Sequence, residues 1–274
     1  MLKNKRQYLV QISGVITVFL IWEIAAIIIA QNFPMATKLL PTIEYTFRVS
    51  LPSMASYWGA ITGRYGEASS YLEAFYVLIY HSGRTLLRVL GGSAIGIGLG
   101  IFIGLAIGWN KKLYDFINIP IQVIRVIPLL SLITLFLLWF GGREIGIYLY
   151  IIYAIFVMIV TNTIEAVKNV PRAYNEFALT LGASKSQVFS MVVLPAIVPE
   201  LAGGIRVAMG LSWAIVLASE YLAADQGLGR ILILSEKFFN PGRMIIITLL
   251  FMFYSLILDR LIKKIISKYT RWKP

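Results

Sequence analysis

Cysteine is missing from this 274-residue sequence, and histidine occurs once, at His81. Disulfides, iron–sulfur clusters, thiolate zinc sites and multi-histidine metal centres are thereby excluded. Charge is scarce too: Asp, Glu, Lys and Arg make up 14% of the residues, against about a quarter in a soluble domain. No Gly-Lys dipeptide occurs, so the chain has no Walker A loop to cradle phosphates. Gly-x-Ser-Gly and Gly-x-Gly-Asp are absent as well, and the lone histidine leaves no serine–histidine pair for an intramembrane protease.

What is present is apolar: 58% of the residues are hydrophobic and the mean hydropathy is +0.78. The apolar residues fall in blocks near the ~20 residues that cross a bilayer, so the fold class is an all-α polytopic membrane protein with about six transmembrane helices. The first span is residues 12–30, preceded by KNKR and followed by no clean small-residue cleavage site, and it reads as a retained helix. Residues 31–80, rich in Tyr, Ser and Pro, are too polar to span; they are expected to form an external loop with short amphipathic segments and His81 at its edge. The remaining spans are expected at Leu86–Gly108, Ile124–Phe140, Ile145–Ile164, Leu201–Ala223 and Met244–Ile262. The division is therefore an N-terminus with its first helix (1–30), a loop (31–80), a five-helix core (81–264) and a basic tail (265–274).

Of the 25 Lys and Arg residues, 16 fall on the side of the N-terminus and 9 on the other. The positive-inside rule then makes both termini cytoplasmic. The formal charge of +12 clusters beside the spans, which points to contact with anionic membrane lipid rather than nucleic acid.

Gly92, Gly96, Gly100, Gly104 and Gly108 repeat every four residues in the second span, a pattern that lets another helix pack closely. Gly98 and Gly100 only mimic a dinucleotide fingerprint, since no strand precedes them. Ser131, Thr134, Thr161, Asn162 and Ser212 are small polar residues within spans, open both to lining a path and to bonding back to their own helices. Glu23 is expected to pair with a polar neighbour and Arg206 to reach the interface. Glu220 and Asp225, beside Gly227 and Gly229, flank the end of the fifth span, where a gate, a partner contact and a plain turn are all open readings. An anion path would call for an Arg facing it; Arg125 is the nearest candidate, although its place near the cytoplasmic end favours membrane anchoring.

Between the fourth and fifth spans lies a water-facing helical hairpin, residues 171–198. Pro171 suits a first turn, Phe177, Ala178 and Leu181 share a face, and Gly182 can adopt φ > 0 to end the helix. Ser184 with Gln187 has the form of a capping box, and Val188, Phe189, Val192 and Val193 carry an apolar face until Pro195, which is expected to stop the second helix.

The spacing of Glu176, Ala178, Gly182, Leu194 and Pro195 resembles the EAA motif of bacterial ABC-importer permeases, with Phe177 for the first motif Ala and Val192 for Ile. RVIPLLSLITLFLLWFGGREIG, VTNTIEAVKNVPRAYNEFALTLGAS and LASEYLAADQGLGRILI look like the branch that imports nitrate, sulfonates, taurine and bicarbonate, whose relatives carry vitamin precursors. The resemblance covers roughly residues 80–265. It implies a type I importer permease fold, in a prokaryotic inner or plasma membrane, whose hairpin docks on a separate ATPase subunit. Glu176, Phe177, Ala178, Gly182, Leu194 and Pro195 would be the coupling residues. It also implies a second permease copy, an external solute-binding protein, and ATP with Mg on the ATPase rather than any cofactor here. A channel or scaffold would share the spans but has no use for the hairpin.

Overall fold

A computed structural model describes residues 2–32, 39–57, 70–141 and 144–269. Every regular element among them is helical. The chain forms two compact units, one of residues 1–81 with 231–250 and the other of residues 82–230 with 251–274.

The first unit begins with α1 (Leu2–Asn32), largely exposed and apolar. Glu23 within it is not free: its Oε2 accepts the Ile43 N–H at 2.7 Å, the first amide of α2 (Ile43–Tyr45). That placement matches carboxylate charge to the positive end of a helix. Trp22 Nε1 donates to the Pro41 carbonyl at 3.1 Å, so two side chains of α1 fasten the segment after it. A π turn (Thr46–Ser50) and a 3-10 helix (Pro52–Tyr57) follow. Arg243 binds the latter through Ser53 Oγ (2.8 Å), the Ser53 carbonyl (2.7 Å) and Tyr57 Oη (3.1 Å).

α3 runs from Tyr71 to Trp109, 39 residues. It starts well before the expected Leu86, so residues 71–80 are helix rather than loop and His81 is a buried helical residue. Hydropathy registers the span but not a helix that continues past it. From residue 82 onward α3 belongs to the second unit, where it packs on α6 (Glu144–Asn169) along the glycine row. A Cβ on Gly96 would lie 2.9 Å from Ile155 Cβ, on Gly100 2.7 Å from Ile159 Cβ, on Gly104 2.6 Å from Thr163 Cβ and on Gly108 2.9 Å from Val167 Cβ; Gly92 faces Ile151 in the same way. Only a hydrogen on α3 admits these β-branched side chains. Both sets of residue numbers rise together, so α3 and α6 are parallel.

Parallel neighbours require a return crossing, and it is bent. α4 (Lys111–Val126) and α5 (Leu129–Phe140) meet at 96° instead of forming one straight span over 124–140. Ile127, at φ −63° and ψ 125°, is extended, because the ring of Pro128 disfavours helix at the residue before it. Among the described residues, five helices are long and apolar enough to cross a membrane, six if this pair counts as one span.

α7 (Arg172–Thr180) and α8 (Lys185–Val188) form the hairpin, with Gly182 at φ +87° between them. The capping box is present: Ser184 Oγ accepts from the Gln187 amide at 3.3 Å, and Gln187 Oε1 accepts from the Ser184 amide at 2.8 Å. Pro195 does not stop the second helix. A π turn at Phe189–Val193 widens the ladder just before the proline, and the helix continues as α9 (Leu194–Ala223), unbroken from Lys185. The fifth span therefore begins earlier than Leu201. α10 (Leu228–Lys237) and α11 (Pro241–Tyr269) complete the chain. Within the second unit, α5, α6 and α9 enclose the main core around Ile133, Ile151, Ile155 and Val216, and Trp213 stacks on Tyr254 of α11.

Candidate functional site

Two features of the second unit join residues from distant parts of the chain. The first is a charge network that joins the middle of α3 to the start of α6 and the end of α9. Arg88 is 1% exposed and Glu220 fully buried. Arg88 Nη1 donates to Glu220 Oε1 at 2.7 Å and to the Gln226 carbonyl at 2.6 Å, and Nε donates to Glu144 Oε2 at 3.0 Å. Arg84 Nη2 holds Glu144 Oε1 at 2.8 Å from the more open side. The second oxygen of Glu220 accepts from Thr85 Oγ1 and from the Gly229 amide, both at 2.9 Å, and Thr85 Oγ1 in turn accepts the Leu228 amide at 2.9 Å. Two arginines and two carboxylates balance, and the turn between α9 and α10 is tied to α3.

That turn explains two glycines. Gly227 sits at φ +118°, and a Cβ there would strike the Glu220 carboxylate; on Gly229 it would lie 2.6 Å from Glu220 Cβ. Asp225, between them and α9, is exposed. Sequence reasoning had singled out Glu220, Gly227 and Gly229 but counted Arg84 and Arg88 only as outer positive charges, and it passed over Thr85 and Glu144. The available signal was Arg88 itself, an ionisable residue inside an apolar span.

The second feature is a cavity of about 650 Å³ against α4, α5, α6 and α9. Its wall on α6 runs from Tyr150 to Glu165, about 22 Å at the helical rise. Most of the lining is apolar; Thr161, Asn162, Arg125 and Glu165 are the polar exceptions, and the last two form an ion pair at 3.3 Å. Tyr150 Oη donates to the Leu129 carbonyl at 3.2 Å and so fixes the start of α5 against α6. Asn162 fills the notch left by Gly204, where any Cβ would collide with its amide.

Residues 96–271 match the family described as the binding-protein-dependent transport system inner membrane component. The chain belongs to that family. It is an ABC-importer permease. A Methanocaldococcus jannaschii chain named as an ABC transporter permease protein is 30% identical over 271 residues, 98% of this chain and 94% of that one. The bicarbonate transport system permease protein CmpB of Synechococcus elongatus is 29% identical, covering 77% of this chain and 71% of CmpB. The taurine transport system permease protein TauC of Escherichia coli is 32% identical over 54% of each chain. Among solved structures, an inward-facing MetNI methionine ABC transporter superposes with TM-score 0.64 at 18% identity, covering 72% of this chain and 97% of that chain. At that identity the likeness concerns the fold.

Of the small polar residues singled out in the permease's spans, the cavity gathers Thr161 and Asn162. Ser212 is buried and donates to the Met209 carbonyl at 2.7 Å. Thr134 is exposed and donates to the Ser131 carbonyl at 2.9 Å, and neither it nor Ser131 lines the cavity. Arg125, the nearest candidate for a path-facing arginine although anchoring was favoured, stands on the cavity wall. Arg206 is paired rather than merely extended to the interface: its Nε meets Asp259 Oδ1 at 2.6 Å. In the hairpin, Glu176 lies midway along α7, and α7 buries none of its residues. Tyr174, Phe177, Leu179 and Leu181 are all exposed.

Proposed function

We propose that this permease forms the path of an ATP-driven importer for a small anion, with the hairpin of residues 171–198 coupling it to a separate ATPase subunit. The observation that carries the reading is the mechanical continuity of the hairpin with the cavity wall. An exposed helix, α7, with Tyr174, Phe177 and Leu179 at its surface, turns at Gly182 into a helix that runs unbroken from Lys185 to Ala223, and that helix presents Gly204, Val207 and Leu211 to the cavity. A displacement of the start of α8 is therefore carried to the cavity along one continuous helix. In this reading Phe177 and its exposed neighbours seat in the ATPase, Glu176 meets a cation there, Ala178 permits close approach and Leu194 with Pro195 joins lever to span.

The charge distribution supports cytoplasmic termini, which places the hairpin inside and the Arg88–Glu220 network outside. Glu220, Asp225, Gly227 and Gly229 then belong to the external gate or to the face that receives a solute-binding protein. Residues 31–80 contribute to that external side, residues 81–264 form the core and residues 265–274 a basic cytoplasmic tail. Two copies of the permease would complete the path, as the type I fold implies. The relatives named for taurine and bicarbonate support an anionic cargo.

The test is affinity purification of the tagged permease from native-host membranes, beside a Gly182→Trp variant. Recovery of an ATPase subunit with the unmodified chain, and its loss from the variant, is expected. An ATPase recovered equally with both would remove the hairpin from the coupling role. Recovery of no ATPase at all would point to a channel.

A further inference from the structure

Glu165, the partner of Arg125, lines two neighbouring cavities. The larger, of about 650 Å³, has both members of the pair on its wall. A second, of about 320 Å³, shares Thr161 and Glu165 with the first and continues among polar residues that include Asn118, Lys168 and Asn169. A solute at the wall the two cavities share meets Glu165 and, joined to it, the Arg125 guanidinium.

The pair is built to open. Its two groups are joined through a single N–H, Nη1, at 3.3 Å, and both side chains are about half exposed, 52% and 56%. An arginine has five N–H donors in a planar fork, and among the described residues Glu165 is the acceptor for only one of those of Arg125. The arrangement contrasts with Arg88, whose donors are taken up by two carboxylates and a carbonyl in a buried setting. Nearby, Asn162 Oδ1 is buried without a hydrogen-bond partner among the described residues, on the wall of the same cavity. Leu129 and Leu130, the first residues of α5, line the same cavity, at the end of that helix that carries positive potential.

We propose that Arg125 and Glu165 form an anion-exchange filter: a small oxyanion moving out of the cavity binds the Arg125 fork in place of Glu165, and the return of Glu165 releases it. Carboxylate, bicarbonate, nitrate and sulfonate groups all present two oxygens in the geometry the fork accepts. A neutral solute cannot displace the carboxylate. The inference rests on the anion-importer reading above and adds the residues that select the charge.

The test replaces the native gene with variants and measures uptake of labelled nitrate, bicarbonate and taurine in the host, with ATPase co-purification as the assembly control. The probe is whichever anion depends on this gene in the unmodified strain. Arg125→Gln is expected to lower its uptake at least tenfold while the ATPase subunit is recovered in undiminished yield. Arg125→Lys, with the charge but not the fork, should fall between. Glu165→Gln should slow uptake at least threefold, because release loses its competitor. Uptake by Arg125→Gln at the unmodified rate overturns the filter and leaves the importer reading intact. Should that variant fail to assemble, Glu165→Gln decides, and unmodified uptake by it overturns the filter equally. If none of the three anions depends on the gene, the anionic cargo is refuted and the filter with it.

Discussion

Replacing Arg88 by alanine should be among the most damaging single changes in this protein. The side chain bridges Glu220 and Glu144 and also serves the Gln226 carbonyl. Without it, Glu220 remains fully buried with only Thr85 Oγ1 and the Gly229 amide as donors. Removing one partner of a buried pair costs about 3–5 kcal/mol, since the remaining charge is uncompensated. For a chain of this size that corresponds to a melting shift on the order of 10 °C. Glu144→Ala is the internal control: its side chain is 44% exposed and the Arg88–Glu220 pair survives, so a loss of about 1 kcal/mol is expected. The double variant Arg88→Met/Glu220→Met leaves no buried charge and should regain most of the loss. The assay is the midpoint of thermal unfolding of the purified permease in one detergent at one heating rate, because unfolding of such a protein is kinetically controlled. An Arg88→Ala midpoint equal to that of Glu144→Ala would refute the reasoning. So would a double variant that melts below both single ones.

Three further outcomes follow from local geometry, each readable by the same melts unless stated. Gly100→Ala should destabilise by about 1–3 kcal/mol through overpacking against Ile159, whereas Gly98→Ala, whose Cβ meets nothing within 4 Å, should be neutral or stabilising by up to about 1 kcal/mol. Gly227→Ala should cost at least about 1–3 kcal/mol from its left-handed backbone alone, while Gly203→Ala, in open space, should have little effect. Ser184→Ala removes the capping box and should loosen the start of α8 by about 1 kcal/mol, seen as faster amide exchange at residues 186–188 with the global midpoint unchanged.

Much of this architecture was legible because hydropathy and helix punctuation are local. The apolar blocks located the spans, and Ser184, Gln187 and Gly182 located the hairpin to the residue. The bent crossing was legible in principle, since Pro128 disfavours helix at Ile127, but an apolar run from Ile124 to Phe140 masks it. Pro195 misled in the opposite direction: a proline ends a regular ladder, yet the π turn ahead of it absorbs the defect and lets the helix pass. The charge network was hidden for a different reason. Arg88 and Glu220 lie 132 residues apart, and nothing near either one reveals that a turn will bring them together. Arg125 was visible as a candidate for an anion path, but its place near the end of a span favoured anchoring, and the Glu165 partner 40 residues away was not visible at all.

The glycine row has a mechanical consequence. The notches on α3 and the β-branched teeth on α6 share one pitch of four residues, so the two helices mesh as a rack with a fixed set of stops. A slide of less than about 6 Å, four residues at the helical rise, lifts every tooth onto a ridge at once and separates the backbones along the entire contact. Small shear between these helices is therefore blocked by five simultaneous collisions instead of resisted gradually. From residue 92 to residue 108, and from 151 to 167, the pair behaves as a single strut, and whatever the transport cycle bends must bend elsewhere.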